Sequence, residues 1–190
     1  MLQVIYASIN TVTDPEVTDN EGNIVRRKQS VTRTTPIGTI RLVPFPHPPH
    51  PEPGSSYAAD ALETGPAVSK TLPNIADRET TYHDGIEAYL KLGRLAVLKE
   101  FRGSGIAKML VSSAMTWCQQ NASYFNPSPT ALAANLDEVP RWKGLLCVHA
   151  QEEVVKVWAK WGFKLDDKMG SWVEEGIRHR GMWNRLNFEA

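Results

Sequence analysis

The clearest pattern of apolar and polar positions lies in residues 89–121. Residues 92–98 form a short apolar run that predicts a strand, and a charged turn follows at 99–101. Apolar residues then recur at spacings of three and four, which predicts an amphipathic helix with one buried face. The members of that face are Ile106, Met109, Leu110, Ala114 and Trp117. We therefore expect a strand that passes through a glycine-bearing loop directly into a helix.

Two further strands are predicted before this unit. Residues 2–9 are rich in β-forming residues, and residues 36–43 alternate between two faces. The polar segment between them, 10–33, carries an Asp-Asn-Glu-Gly-Asn turn signal at 19–23. We expect this segment to be a long hairpin loop with frayed strand ends.

The pattern after the central unit predicts strands around a second helix. Residues 145–150 form a near-continuous apolar run, which is typical of a strand covered on both faces. A helix is predicted at 152–161, and Gly162 stands where it should end. Its apolar side chains, expected toward the core, are Val154, Val155, Trp158 and Trp161. The remaining predictions are the start of a strand at 163–165, a connecting segment at 166–175 and a final strand at 176–186. Strands before and after two helices predict a mixed α/β sheet.

Two proline-containing segments interrupt this order and are predicted to be insertions, at 44–84 and at 122–143, the second with a short helix at 130–136. Six prolines within residues 44–53 exclude a helix and a central strand. This stretch could carry metal ligands at His47 and His50, or dock to an SH3-like partner. Two histidines without a third ligand make a weak metal site, so a stiff surface insertion is the favoured interpretation, and no metal is expected.

Composition limits the function classes. The 190 residues, 42% of them hydrophobic, favour one soluble domain over 1–190. The formal net charge is zero, which gives no support for nucleic-acid or anionic-membrane binding. No run is long and apolar enough to span a membrane, and the first residues do not resemble a secretory signal. Cys118 and Cys147 lie in apolar elements and are expected to be reduced thiols in the cytoplasm.

The loop between the central strand and helix is the leading candidate for chemistry. Amides at a helix N-terminus are unpaired, and the helix dipole adds partial positive charge there. Gly103 and Gly105 allow a ligand to approach the backbone, and Arg102 offers charge to phosphate oxygens. The pattern lacks the endings of a Walker loop and of a dinucleotide fingerprint. Many such junctions bind nothing, so the glycines alone leave both interpretations open.

These residues resemble a known family. The segment 102–107, Arg-Gly-Ser-Gly-Ile-Ala, fits the Arg/Gln-x-x-Gly-x-Gly/Ala signature of the GNAT N-acetyltransferases, and 93–97 looks like their fourth strand. Residues 151–163 are similar to a second GNAT signature, with Lys160, Gly162 and Phe163 matching. Residues 149–151 and 174–182 resemble the ElaA-like branch. The resemblance covers about 36–186.

The resemblance implies a GNAT fold, which is a mixed, mostly antiparallel twisted sheet with helices on both faces. It also implies acetyl-CoA as co-substrate, bound where the fourth and fifth strands splay apart, and a primary amine of a small molecule or peptide as acceptor. By resemblance, the backbone of the fourth strand pairs with the pantetheine arm, the loop amides hold the pyrophosphate, and the start of the last helix reaches the cofactor. The residues in these positions are Leu95, Ala96 and Val97, then Arg102, Gly103, Ser104, Gly105, Ile106 and Ala107, and finally Gln151.

The chain departs from the family at the group that protonates the thiolate. The family's usual acid is a tyrosine, and Trp158 occupies that position, where an indole N–H cannot protonate a thiolate. His149 and His179 are the nearest titratable candidates, and His149 is the first choice because its strand end should face the splay. Glu174 and its neighbour Glu175 could serve as the base, but solvated loop charges are the favoured interpretation.

A second departure lies at the start of the chain. The first strand and two helices that precede residues 2–9 in the family are missing. The alternatives are a truncated chain, completion of the fold by the insertions, or completion by a partner subunit such as a second copy. The competing function is a non-catalytic acyl-CoA-binding or interaction domain. The expected compartment is the cytoplasm, with the nucleus left open.

Overall fold

The computed structural model of the chain describes residues 2–45, 47–58, 77–126 and 141–188. The short helix predicted at 130–136 lies outside these ranges. The strands are β1 (Leu2–Asp14), β2 (Val17–Thr18), β3 (Ile24–Arg26), β4 (Gln29–Val43), β5 (Ser56–Tyr57), β6 (Leu90–Val97), β7 (Leu145–Gln151), β8 (Lys164–Leu165), β9 (Ser171–Glu174) and β10 (Ile177–Arg185). The α-helices are α1 (Ile106–Gln120) and α2 (Val155–Lys160), and single 3-10 turns lie at Lys99–Phe101, Ala122–Phe125 and Glu152–Val154.

One large sheet organises the structure. Its strands follow the order β1-β4-β6-β7-β10-β9-β5, and β8 pairs with β10 beside this path. The pairs β6–β7 and β5–β9 are parallel and the other pairs are antiparallel. This confirms the mixed, mostly antiparallel sheet expected from the sequence. The short pair β2–β3 forms a separate ribbon at the end of the β1–β4 hairpin.

Strand β7 lies between two apolar layers, because its successive side chains belong alternately to one layer and the other. Leu146, Val148 and Ala150 belong to the larger apolar cluster, which also contains the buried side chains of α1 and Trp158 of α2. Leu145 and Cys147 belong to a second cluster on the opposite face. Because successive strand residues point to opposite faces, both described helices cover the same face of the sheet.

In the described residues, the second face is covered by irregular chain, whereas both described helices lie on the first face. His50 and His83, from the two ends of the proline-rich insertion, are each only 4% exposed. Their rings pack around Tyr89 and Trp183 at centroid distances of 5.0 to 5.7 Å. The described ends of the insertion therefore contribute His50 and His83 to the interior, which the interpretation as a stiff surface segment did not include. Their aromatic rings supply the apolar cover that a helix would otherwise provide.

Hydrogen bonds fix the insertion to itself and to the sheet. His83 Nε2 lies 2.8 Å from the Glu87 carbonyl, which can only accept, so this nitrogen carries the proton. His83 Nδ1 lies 2.8 Å from Nε2 of His50. The Asp77 carboxylate accepts the backbone N–H of His50 at 2.8 Å. His47 Nε2 lies 2.9 Å from the Tyr89 carbonyl. These buried and partly buried polar contacts hold the described ends of the insertion in place.

The buried histidines predict acid sensitivity. Burial lowers the pKa of His47 from 6.5 to about 4. Because the unfolded chain takes up this proton below pH 6.5 while the folded chain does not, folding stability should fall as the pH drops from 6.5 to about 4. The loss from this residue is on the order of 3 kcal/mol. Urea unfolding at several pH values tests it: His47→Asn should show a shallower decrease than the wild type, and an unchanged slope would contradict the assignment.

Asp166 binds the C-terminal end of the insertion through hydrogen bonds, and replacing it by alanine should destabilise the fold. This fully buried carboxylate accepts the backbone N–H groups of Thr81, Tyr82 and Met169 at 3.1 to 3.2 Å. Asp166→Ala leaves those donors without a partner, which should cost about 3 kcal/mol of unfolding free energy. Asp167→Ala is the matched control, because Asp167 is exposed and pairs only with Arg180 at the surface. Equal, small losses in both variants would show that Asp166 is not an anchor.

Several predicted boundaries need correction. The loop predicted at 10–33 is largely strand, because β1 and β4 pair as far as Asp14 and Gln29. The connecting segment at 166–175 contains β9 and the buried side chain of Trp172. Helix α1 buries Val111 and Cys118 and leaves Met109 53% exposed, so its apolar face is rotated from the predicted one.

Other predictions are confirmed. Helix α1 begins directly after the glycine loop, as expected, and β7 is buried on both faces along most of its length. Gly162 follows α2 with φ +89°, as a helix-ending glycine does. Cys118 and Cys147 are free and buried, and burial raises the pKa of each thiol to about 12. Both cysteines are therefore packing residues.

Candidate functional site

The two parallel strands at the centre of the sheet separate along their length. Only three residue pairs join β6 to β7, from Leu90–Leu146 to Leu92–Val148. Beyond these pairs, β6 continues to pair with β4 as far as Val97. Strand β7 continues to pair with β10 through His149. No further residue pair joins β6 to β7 beyond this point in the described structure, which matches the expected splay.

A bulge in β6 accompanies the separation. Thr39 pairs with Ala96, whereas Arg41, two residues farther along, pairs with Gly93, so β6 carries an extra residue here. Arg94 lies in this bulge with φ +51°, a conformation that is uncommon for a residue with a side chain. A bulge bends the strand that carries it. It thereby directs the last residues of β6, including Leu95, away from β7.

The loop after β6 is open to solvent and leads into the first turn of α1. Gly103 and Gly105 adopt φ +82° and +87°, and a Cβ added at either position would meet no atom within 4 Å. Gly105 caps α1 without a side-chain hydrogen bond, and the first turn contains no acidic residue. The amides of Ile106 and Ala107, in the first turn of α1, have no partner within the helix, and no residue of this turn is acidic.

Close packing holds this helix end against the sheet. Gly38 of β4 lies under α1, and a Cβ there would stand 3.1 Å from side-chain carbons of Ile106 and Leu110. Arg102 Nε donates to the carbonyl of Val97 at 3.1 Å, and the Ser104 hydroxyl donates to the carbonyl of Phe101 at 2.6 Å. The loop is thus tied to the end of β6. Arg102 has a role that the sequence did not indicate, because its side chain closes the turn.

The residues predicted on the opposite side lie at the end of β7. Gln151 is exposed, ends the strand and precedes the 3-10 turn before α2. His149 lies two residues earlier, directly after the last pair with β6, on the face that carries Cys147 and Trp172. The structure therefore brings the loop and β6 to one side of the splay and these two residues to the other.

The side chain of His149 lies beside an aromatic ring and near charged groups. Its ring packs edge-on against Trp172 with centroids 4.7 Å apart. Burial first, and then the positive charge of nearby Lys91, hold the pKa of His149 well below its usual value of 6.5. The imidazole is therefore neutral near pH 7. A neutral imidazole can accept a proton, but it is too weak an acid to protonate a leaving group.

Glu174 is the acidic residue that lies beside His149. Its Oε2 lies 3.9 Å from Nδ1 of His149, and its side chain is only 16% exposed. Nδ1 is buried and has no hydrogen-bond partner. The favoured interpretation of Glu174 as a solvated loop charge is wrong, because the residue lies in β9 and points toward this histidine. Only the pairing of β9 with β10, which sequence spacing does not specify, brings the two together.

The other residues considered for the chemistry are Trp158, His179 and Glu175, and each has different surroundings from His149. Trp158 is 7% exposed and packs against Trp161 and Phe163, so it is a core residue, as predicted. His179 is partly buried, stacks on Trp172 with ring centroids 6.4 Å apart, and has its Nδ1 2.9 Å from the Ile177 carbonyl. Glu175 adopts φ +52° in the turn between β9 and β10.

Two tests for other classes of site are negative within the described ranges. No group of three or more His, Cys, Asp or Glu side chains is arranged to hold a metal ion there, so His47 and His50 have no such set of ligands. No helix in this part of the chain is long and apolar enough to cross a membrane.

Sequence comparison identifies one family. The profile described as Acetyltransferase (GNAT) family matches residues 10–134, which is more than half of the 190 residues. The match includes β6, the glycine loop and α1. A search among curated protein sequences finds no match.

Three solved structures illustrate the structural likeness. An N-acetyltransferase from Lactobacillus plantarum shares 13% identity, with a TM-score of 0.43, over 98% of this chain and 99% of its own. Escherichia coli ElaA shares 14%, with a TM-score of 0.42, over 83% and 66%. A chain of the NatC complex bound to Gag peptide and CoA shares 16%, with a TM-score of 0.43, over 80% and 62%. The chain thus spans less than two thirds of that NatC chain.

Proposed function

Because the chain belongs to the GNAT acetyltransferase family, we propose that it transfers the acetyl group of acetyl-CoA to a primary amine. The observation that carries the proposal is the splay between β6 and β7 with an open helix N-terminus at its end. The acceptor is a small molecule or a peptide.

The glycine loop fits a pyrophosphate. Its unpaired first-turn amides, its lack of any first-turn carboxylate and the open space above Gly103 and Gly105 suit a doubly charged anion. The amides of residues 102–107 would hold the pyrophosphate, and Lys108 adds a positive charge to the same turn. Arg102 contributes by keeping the loop against Val97.

The splay fits the extended arm of the same molecule. The backbone of Leu95, Ala96 and Val97 would pair with the amides of the pantetheine arm on the edge that faces β7. Gln151 would reach the cofactor from the start of the 3-10 turn. When bound, acetyl-CoA supplies a thioester whose carbonyl carbon accepts an amine.

His149 is the residue we propose for proton removal from the acceptor. Beside the carboxylate of Glu174, a proton on Nδ1 is favoured over a lone pair, and this tautomer leaves the lone pair on Nε2. A lowered pKa keeps that nitrogen unprotonated at neutral pH. The ring can then accept the proton that an ammonium must lose before its nitrogen attacks. Glu174 would stabilise the imidazolium that forms.

The lowered pKa of His149 also makes this residue unsuitable as the acid that protonates the departing thiolate. The departing thiolate then leaves as the anion or takes a proton from water, since Trp158 is buried in the core. This arrangement also motivates a second candidate function, a domain that binds acyl-CoA without turnover.

Calorimetric titration with acetyl-CoA, followed by thiol release with a panel of primary amines, separates the two functions. The proposal expects saturable binding and amine-dependent release of CoA. Binding without release on any amine would favour the non-catalytic domain. Absence of binding would contradict both.

The compartment stays a prediction. Two free, buried cysteines are consistent with a reducing environment, so we propose the cytoplasm, with the nucleus left open.

A further inference from the structure

The end of the β1–β4 hairpin forms an exposed arm, which we define as residues 12–33. It comprises the last residues of β1, the ribbon β2–β3 and the first residues of β4. Every residue of the arm is exposed except Asp14, which is partly buried. Among the β1 residues whose side chains the structure describes, Ile5 and Ala7 pack on the core. The arm therefore extends from the sheet without support from the interior.

Such an arm is costly for an isolated molecule. A two-stranded hairpin is at best marginally stable in water when nothing covers it. The arm nevertheless exposes five large β-branched side chains at 39 to 68% of their surface, and these are Val12, Val17, Ile24, Val25 and Val31. Strand β1 is also the terminal strand of the sheet, with β4 as its neighbour. Exposed apolar residues beside a sheet edge are typical of an interaction surface.

The charges of the arm are separated into two runs. The outgoing half is acidic, and the returning half is basic. The acidic residues are Asp14, Glu16, Asp19 and Glu21, and the basic residues are Arg26, Arg27, Lys28 and Arg33. None of these eight takes part in an ion pair within the described structure. Only Asp19 has a local task, because it accepts the N–H groups of Glu21 and Asn23 at the turn.

This separation identifies the partner. Four acidic and four basic groups cancel, so the arm has no net charge that would attract a nucleic acid or an anionic membrane. A surface with an acidic and a basic half is complementary to itself when a two-fold axis relates two copies. In that arrangement the acidic run of each copy faces the basic run of the other. We propose that the arm is a dimerisation element whose partner is the arm of a second copy of this chain.

Charge-swapped variants test the proposal. One variant carries Asp14→Lys, Glu16→Lys and Glu21→Lys, and the other carries Arg26→Glu, Arg27→Glu and Lys28→Glu. Asp19 is left unchanged because its carboxylate holds the turn. The wild type should sediment as a dimer that dissociates as salt is raised, because exposed charge pairs are screened. Each variant alone should be monomeric, since like charges then face each other.

The decisive sample is an equimolar mixture of the two variants. In the mixture, the basic run of one protein again faces the acidic run of the other, so a heterodimer should form. Lys156→Glu with Lys160→Glu, on the exposed side of α2, is the matched control and should remain dimeric. Circular dichroism of each variant verifies the fold. A wild type that is monomeric at every concentration, or a mixture that stays monomeric, would overturn the proposal.

Discussion

Replacing Gly105 by glutamate is expected to weaken the binding of CoA by about 100-fold, which corresponds to about 2.7 kcal/mol. The physical reasons act together. The new carboxylate would stand at the positive end of α1, where it competes with and repels a phosphate. A side chain at φ +87° also strains the backbone that presents the first-turn amides. Calorimetric titration with CoA measures the change.

The matched control is Gly54→Glu. Gly54 has φ +78°, and a Cβ there also meets no atom within 4 Å, so the strain and the added charge are alike. Because Gly54 lies in the proline-rich insertion, this variant should bind CoA as the wild type does. An equal loss of affinity in both variants would attribute the effect to general strain and remove the loop from the binding site.

Replacing His149 by alanine should lower kcat by about 100- to 10,000-fold, the usual range for loss of a general base. The affinity for CoA should change little, because the proposed role concerns the acceptor's proton. His179→Ala is the control, since it removes the other histidine ring that packs against Trp172 and so reproduces the loss of packing without the loss of the proposed base. A similar loss of kcat in both variants would contradict the assignment.

The pH dependence distinguishes a base from a merely structural histidine. A base is active when unprotonated, and burial lowers the pKa of His149. The acidic limb of kcat should therefore lie below pH 6.5, the ordinary value for histidine. Glu174→Gln should shift that limb to still lower pH, because it removes a negative charge that favours the imidazolium. A limb that is unchanged in this variant would exclude coupling between the two residues.

The central unit could be predicted from the sequence because its signals are local. The strand, the glycine loop and the start of α1 follow from spacing within about twenty residues, and the three elements occur as expected. The burial of β7 on both faces was equally readable from its continuous apolar run. Motif resemblance then indicated a CoA-binding site that glycines alone left undecided.

Contacts between distant segments could not be predicted. His50 and His83 meet only because the two ends of the insertion return to the same face, and periodicity carries no information about that return. The placement of Glu174 beside His149 likewise depends on the pairing of β9 with β10. Proline content correctly excluded a helix in the described residues of 44–53, but it gave no indication that His47 and His50 pack against aromatic rings.

If the loop before α1 holds the pyrophosphate of CoA, the protein should distinguish CoA from pantetheine in a binding titration. Pantetheine retains the arm proposed to lie along β6 but lacks the pyrophosphate. The wild type should bind CoA far more tightly than pantetheine, and Gly105→Glu should abolish most of that difference while leaving pantetheine binding unchanged. Equal affinity of the wild type for the two compounds would show that the loop before α1 does not bind the pyrophosphate.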